Sequence, residues 1–379
     1  MLSTMAVSTL TFFALAVAAS ELQAEFGISR LQLGLLGGVN TLDGALTAPS
    51  AGRLIDKVGG RNSVGATIFL SGVGAVLLAI APNYPLLLVA SALGGFAQGA
   101  GNPATNRAIS SAVEASKRGI VTGVKQSGVQ AAVVLAGFSV PALSASFGWR
   151  SAMWLTAGLS FALLLGLRLV PAEPQRTAST KVQDRPSAKL PPFVTRVAIY
   201  GFLLGTVGGG FGRFLPLFAE EVANFSVERA GQVFAVQGLV AVPARLTAGF
   251  VLDRGASARK MMIAMAALGG VALLIVAATT AERPNLLWIG TVLAGLTVGT
   301  WNTAANLTMI RLKENAGKAT GRLIFGFLLG LTAGGPVVGW SIDQFDYTPA
   351  WIASAVLAML ATVAVAQRSG WPGRTAISN

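Results

Sequence analysis

Hydrophobic residues occur along this chain in long runs that are separated by short polar breaks. A helix that crosses the hydrocarbon core of a bilayer needs about 20 apolar residues, and twelve runs of this order can be marked. Each is predicted to be a membrane-spanning α-helix, which makes the chain an all-α membrane protein. The predicted spans are residues 3–20, 31–52, 62–81, 85–106, 119–144, 151–167, 197–219, 230–252, 261–280, 285–310, 323–342 and 349–367.

The composition agrees with this interpretation. Charged residues make up 11% and hydrophobic residues 53% of the 379 positions, whereas a soluble domain contains roughly 25% charged residues. The first run is followed by Glu21 and not by a small-residue cleavage site. We therefore interpret it as a retained span rather than a signal peptide.

Lysine and arginine are distributed unevenly between the predicted loops. If the N-terminus is cytoplasmic, the inner loops and the tail hold 21 of the 28 cations and the outer loops hold four. Cytoplasmic loops are typically rich in these residues, so both termini are expected in the cytoplasm and the chain in the cell (inner or plasma) membrane. The net charge of +13 follows from this topology. Because the cations form no stripe interleaved with aromatic residues, nucleic acid is not an expected partner.

A Pro-rich, basic stretch divides the predicted spans into two sets of six. Residues 171–192 are expected to form a cytoplasmic linker between an N-terminal bundle, 1–170, and a C-terminal bundle, 193–379. Short patterns recur across it at offsets of 197 to 201 residues, which predicts two pseudo-symmetric six-helix bundles. The matching pairs are Gly52 and Asp56 with Gly249 and Asp253, Asn102 and Asn106 with Asn302 and Asn306, and GWR at 148–150 with PAW at 349–351.

The loop after the second span reads GRLIDKVGGR, residues 52–61, and resembles the signature of the major facilitator superfamily. The positions that fit are Gly52, Leu54, Asp56, Lys57, Gly59 and Arg61, and Gly60 stands where the family usually has a basic residue. The second copy of the pattern keeps Gly249, Asp253 and Arg254. The resemblance, which extends to span count and linker, implies a secondary transporter. Its two halves would rock about a central site and expose that site alternately to either side of the membrane.

The resemblance also implies an inner gate. Asp56 can accept hydrogen bonds from the free N–H groups at the N-terminus of another helix, where the helix dipole favours an anion. In the family that helix is usually span 11, here beginning near Gly321, and the contact closes the cytoplasmic side. A cytosolic turn with topogenic cations is the alternative. The predicted inner-gate residues are Gly52, Asp56, Gly59, Arg61, Gly249 and Asp253.

Four ionisable residues fall inside the predicted spans: Asp43, Lys125, Arg213 and Arg245. Such residues are costly in a bilayer and often functional. Three cations against one acid leave an excess of positive charge, and an anionic substrate is the simplest compensation. Pairing with helix-end carbonyls or with Asp43 is the alternative. The span that contains Arg245 also resembles the monocarboxylate and oxalate/formate porters of the superfamily, whose eighth-helix Arg contacts a substrate carboxylate.

Polar residues elsewhere in the spans are further candidates to orient a substrate, although hydrogen bonding between helices is an equal alternative. Residues four apart, as in the two Asn pairs, share one face of a helix. The predicted substrate-binding residues are Arg245, Arg213, Lys125, Gln126, Asn102, Asn302, Asn306, Trp301 and Gln237.

The chain contains no His and no Cys, which excludes the usual metal ligands, disulfides and the usual proton shuttle. No cofactor or metal is therefore expected. Asp43 is the natural proton carrier if transport is proton-coupled, as in a symporter, with a structural ion pair as its rival role. The sequence contains no set of catalytic residues and no P-loop that would indicate an enzyme.

These patterns predict a secondary transporter of a small organic anion such as a carboxylate, acting as a monomer in the lipid bilayer. The alternative is an efflux antiporter for drugs or other hydrophobic compounds. Against it, span 5 reads GFSVP at 137–141 rather than the GP-centred motif typical of proton-coupled drug exporters. Three core cations would also disfavour cationic drugs.

Overall fold

A computed structural model describes residues 1–114, 117–169, 190–312, 316–367 and 371. These residues form fourteen α-helices and one 3-10 helix at Gly166–Leu169. The α-helices are α1 Leu2–Val17, α2 Ala19–Phe26, α3 Arg30–Val58, α4 Gly60–Ile80, α5 Tyr84–Ala112, α6 Arg118–Phe147, α7 Arg150–Leu165, α8 Pro192–Glu221, α9 Val227–Asp253, α10 Ala258–Ala277, α11 Asn285–Leu296, α12 Asn302–Ile310, α13 Ala316–Phe345 and α14 Tyr347–Ala366.

The helical architecture confirms the predicted all-α membrane protein. Within the described ranges, eight helices are individually long and apolar enough to cross a membrane, and α1 with α2, which meet at a bend of 65°, make a ninth candidate span. The predicted run 285–310 is divided between α11 and α12, which are separated by residues 297–301. The count of twelve spans stays a prediction.

Polar residues at the predicted outer ends begin several helices. Ser29 and Gln32 form a capping box at the start of α3, in which the Ser29 side chain accepts from the Gln32 N–H and the Gln32 side chain accepts from the Ser29 N–H. The Asn83 side chain accepts from the Leu86 N–H at the start of α5, and the Ser226 side chain accepts from the Arg229 N–H at the start of α9. At the other end of α3, Gly59 adopts a φ of 87°, a conformation that favours glycine and allows a tight turn into α4.

Helix packing repeats from one part of the chain to the other. In helices α1–α7, α1 packs against α6, α3 against α5 and α4 against α7. The corresponding partners in α8–α14 are α8 with α13, α9 with α11 and α10 with α14. We call these two groups of helices the first and second halves. The duplicated patterns of the sequence thus reappear as duplicated contacts.

The two halves meet chiefly where α3 crosses α13 and where α6 crosses α9. A Cβ atom at Gly34 would collide with the Gly335 carbonyl, and one at Gly137 with the Gly231 carbonyl. Small residues thus let the helices approach closely. All four glycines lie toward the side with the loops at 27–29, 148–149 and 222–226, which the charge pattern predicts to be outside.

Glycines near the opposite ends of the same helices have different surroundings. A Cβ atom added at Gly123, Gly249 or Gly321 would meet no atom of the described residues within 4 Å. The two halves are therefore pressed together at the predicted outer side. We call this arrangement the outer-closed state.

Candidate functional site

Lys125 on α6 is almost completely buried, with 1% of its surface exposed. Its Nζ donates hydrogen bonds to Oδ1 of Asn102 at 3.0 Å and to Oδ1 of Asn106 at 2.7 Å. Gln126 donates to the same Asn102 oxygen at 3.0 Å. The two asparagines share one face of α5 because they lie four residues apart. The structure thus brings four polar residues together, and the ammonium group donates its hydrogen bonds only to neutral amides among the described residues.

Arg245 on α9 is held by a break in a helix of its own half. Its Nε and Nη2 donate to the Gly299 carbonyl oxygen at 3.0 and 2.8 Å. Gly299 belongs to the segment between α11 and α12, where an interrupted helix leaves a carbonyl free to accept. This contact matches the helix-end pairing considered as an alternative for the buried cations.

Gln130 on α6 approaches Arg245 from the other half. With the amide turned so that its oxygen faces the guanidinium, Oε1 accepts from Nη2 at 2.9 Å and from Nη1 at 3.1 Å. Arg245 therefore connects both halves at mid-depth through neutral acceptors. A planar guanidinium has a fork of donors, so a carboxylate could take over these positions.

Arg213 on α8 is buried to the same extent as Lys125 but is bonded differently. Only 1% of its surface is exposed, and its Nε, Nη1 and Nη2 have no hydrogen-bond partner within the described ranges. The guanidinium packs against Gly37 of α3 and lies over the Phe12 ring, with 5.1 Å between Cζ and the ring centroid. A cation–π contact of this kind compensates a buried charge only in part.

Asp43 on α3 is half-buried, and its Oδ2 has no hydrogen-bond partner in the part of the chain that the structure describes. No ion pair joins this carboxylate to Lys125, Arg213 or Arg245 in the same part. The three cations and the acid are thus not paired with one another in the outer-closed state.

The remaining predicted substrate residues lie in the second half. Trp301 is 3% exposed and packs edge-on against Tyr200 and Phe327, each with 5.4 Å between ring centroids. Asn302, Asn306 and Gln237 are half-buried. In contrast to Asn102 and Asn106, they make no side-chain hydrogen bond with any described residue.

The inner-gate residues are only partly described. Gly52 and the side chain of Asp56 lie outside the described part of the chain, so their contacts stay a prediction. Arg61 is half-buried and Asp253 is exposed. No group of three or more acidic residues that could hold a metal ion occurs among the described residues.

Sequence reasoning missed Gly299 as a ligand of Arg245. The run GLTVGT at 295–300 contained a signal, since two glycines and two threonines interrupt an apolar helix. The Thr297 hydroxyl donates to the Leu293 carbonyl at 2.6 Å and the Thr300 hydroxyl to the Gly295 carbonyl at 3.0 Å. Such bonds to the backbone compete with the regular helical pattern.

Solved structures with a similar fold include a mutant of the nucleoside transporter NupG. The match has a TM-score of 0.78 and covers 96% of this chain and 98% of that one, at 14% identity. At this identity the likeness establishes the fold alone.

Relatives in sequence include the gentisate transporter of Corynebacterium glutamicum, which is 28% identical over 300 residues, or 75% of this chain and 66% of the relative. A protein of Arabidopsis thaliana named probable polyol transporter 3 is 27% identical over 154 residues, or 39% of this chain. The chain spans only 30% of that relative's length.

The family model of the Major Facilitator Superfamily matches residues 1–321. This match covers most of the chain, including the signature at 52–61 and both predicted Asn pairs. The chain therefore belongs to the Major Facilitator Superfamily, and it is a multi-pass membrane protein of that type.

Proposed function

We propose that this protein moves a small organic anion such as a carboxylate across the membrane by alternating access, as a secondary active transporter. The observation that carries the proposal is the Arg213 guanidinium, which is buried without a hydrogen-bond partner among the described residues. A buried charge in this condition is strongly unfavourable. An anion that binds it would remove the penalty.

Lys125, which is buried, and Arg245, which is half-buried, support the same substrate class. Lys125 is bonded to amide oxygens and Arg245 to a carbonyl oxygen. Neutral acceptors satisfy the hydrogen bonds of a cation but leave its charge uncompensated. Charge-assisted bonds to a carboxylate are roughly twice as strong as neutral ones. A substrate anion would therefore replace these partners at a gain in free energy.

The names of the relatives do not decide the substrate. The gentisate transporter is named for an anion and the polyol transporter for neutral compounds. The buried cations of this chain favour the anion. Asn102, Gln126, Asn302, Asn306, Gln237 and Trp301 are proposed to orient it.

The proposed architecture has twelve spans, with α1 and α2 forming one bent span and α11 and α12 one broken span. The repeated helix pairings support two six-helix bundles, residues 1–170 and 193–379, joined by a linker at 171–192. The linker lies almost wholly outside the described residues. Both termini would be cytoplasmic, as the distribution of Lys and Arg predicts.

The test is a ligand panel on the purified protein. Gentisate, benzoate and acetate are compared with mannitol as the neutral probe and tetraphenylphosphonium as the cationic probe, and the midpoint of thermal unfolding is measured. A ligand at 100 times its dissociation constant stabilises the folded state by about 2.7 kcal/mol. We expect stabilisation by organic anions, and its loss in Arg213→Ala and Arg245→Ala.

Arg150→Ala serves as the control, because this arginine is bonded within the first half at the outer surface. It should keep the response to anions. Stabilisation by tetraphenylphosphonium alone would refute the anion proposal and favour the efflux alternative.

We further propose that Asp43 carries the coupling proton. Its carboxylate is partly buried and has no cation paired with it in the described parts of the chain, as a group that binds and releases a proton requires. In reconstituted vesicles, Asp43→Asn should abolish uptake of labelled gentisate driven by a pH gradient while exchange of gentisate persists. Uptake with an unchanged response to the gradient would refute this role.

A further inference from the structure

At the predicted outer side, Arg30 joins the two halves. Arg30 is the first residue of α3, and its Nη2 lies 2.6 Å from Glu221 Oε2 at the end of α8. Its Nη1 lies 3.8 Å from Asp343 Oδ1 in the last turn of α13. The guanidinium also lies over the ring of Tyr347, 5.5 Å from the centroid, and the Tyr347 hydroxyl donates to Glu221 at 2.8 Å.

Asp343 makes a second kind of contact with α3. Its Oδ1 accepts from the Arg30 backbone N–H at 3.1 Å and its Oδ2 from the Leu31 N–H at 2.8 Å. The backbone N–H of the next residue, Gln32, donates to the Ser29 hydroxyl oxygen. A carboxylate from the second half thus caps the N-terminus of a helix in the first half, where the helix dipole favours a negative charge.

We propose that Arg30, Glu221, Asp343 and Tyr347 form the outer gate of this transporter. The gate is the counterpart of the predicted inner one on the same two helices. At the inner side, Asp56 near the end of α3 is predicted to cap the start of α13. At the outer side, Asp343 near the end of α13 caps the start of α3. Closing one contact requires α3 and α13 to converge at that side, so the two caps exclude each other.

The gate closes directly over Arg213. Gly37 follows Arg30 by seven residues, which is about two turns of α3 or 10 Å, and a Cβ atom there would lie 2.5 Å from Arg213 Nη2. Further along α3, the Thr41 hydroxyl lies 3.2 Å from the Thr332 hydroxyl of α13. The outer half of α3 therefore forms one continuous seal from the gate to the buried guanidinium.

Arg150 provides a matched control. It also begins a helix at the outer side, and its side chain is 32% exposed against 30% for Arg30. Arg150 pairs with Glu25 and donates to the Ala81 carbonyl at 2.8 Å, and both partners belong to the first half. Its network therefore stabilises one half without joining the two.

The absence of cysteine from the sequence makes the test direct. Thr41→Cys introduces a single thiol at a position that is 3% exposed in the outer-closed state. Intact cells are treated with a membrane-impermeant maleimide in buffer without organic anions, and the labelling rate of Cys at this position is measured. The parent chain without the substitution gives the background.

Asp343→Ala should raise the labelling rate about tenfold, which corresponds to a shift of ~1.4 kcal/mol toward outer opening. Arg30→Ala should raise it less, because Asp343 still caps the backbone of α3, and Tyr347→Phe least. Arg150→Ala should leave the rate within twofold. Equal acceleration by Arg150→Ala, or no acceleration by Asp343→Ala and Arg30→Ala, would overturn the proposal.

If Asp343→Ala is not recovered in the membrane, Glu221→Gln, which preserves the size of the side chain, is used as the gate variant in its place. The proposal rests on the superfamily's alternating access and not on the substrate class. If labelling rises in the gate variants but does not respond to added gentisate or benzoate, the proposed outer gate is supported and the proposed anionic substrate is refuted.

Discussion

The two halves contain matching asparagine pairs and use them differently. In the first half, Asn102 and Asn106 lie on the continuous helix α5 and bind the buried ammonium of Lys125. In the second half, the matching Asn302 and Asn306 begin the short helix α12 after a break, and the nearby cation binds the backbone of the break instead. A duplicated pattern thus fixes the position of polar groups but not their partners.

The difference has an energetic consequence. Asn102 and Asn106 are exposed, so water can replace Lys125 if the cation is removed. The Gly299 carbonyl lies in a break that packs against α9, and a Cβ atom at Gly299 would lie 3.3 Å from the Ala241 side chain. We therefore expect the second-half site to contribute more to stability and the first-half site to contribute chiefly to anion binding.

The largest expected effect is that of Arg245→Ala. It leaves the Gly299 carbonyl and the Gln130 amide without their donor, and hydrogen bonds to charged groups each contribute about 1.5–3 kcal/mol. The free energy of unfolding should fall by about 2–4 kcal/mol, measured by denaturant titration in detergent. Arg245→Lys keeps the charge without the fork and should recover part of this loss. An unchanged stability in Arg245→Ala would contradict the structural role of the site.

Lys125→Met should have a smaller effect on stability and a large one on transport. Burying an ammonium group is costly, so its replacement by an apolar side chain of similar length is expected to change the free energy of unfolding by less than about 1 kcal/mol. Uptake of labelled gentisate should fall at least about tenfold, the equivalent of ~1.4 kcal/mol of lost binding. A variant that unfolds while its uptake per folded molecule is normal would reverse the comparison.

The smallest difference is expected between Asn102→Ala and Asn302→Ala. Asn102 accepts from Lys125 and Gln126, so its loss should weaken the stabilisation by gentisate by about 1 kcal/mol. Asn302 makes no side-chain hydrogen bond with the described residues, and its replacement should alter the unfolding midpoint of the ligand-free protein very little. If Asn302→Ala weakened the stabilisation by gentisate as much as Asn102→Ala does, the two asparagine pairs would be equivalent.

Much of the fold was predictable because membrane insertion imposes simple local requirements. Long apolar runs, the cationic inner loops and the signature at 52–61 indicated an all-α transporter, and the four ionisable residues within the spans were visible as lone charges in apolar surroundings. The break at 297–301 was not predicted. Its hydrophobicity is continuous with the flanking residues, and only its Gly and Thr content differs.

The sequence by itself determined the helical membrane architecture, the family and which ionisable residues lie within the helices, since these depend on the type and order of residues along the chain. The tertiary structure decided which partner each charge has. Among the described residues, Lys125 bonds to asparagines, Arg245 to the backbone of a broken helix, and Arg213 packs only against an aromatic ring and a glycine. Asp343 became the cap of a helix more than 300 residues away, because contacts between halves depend on how the helices cross.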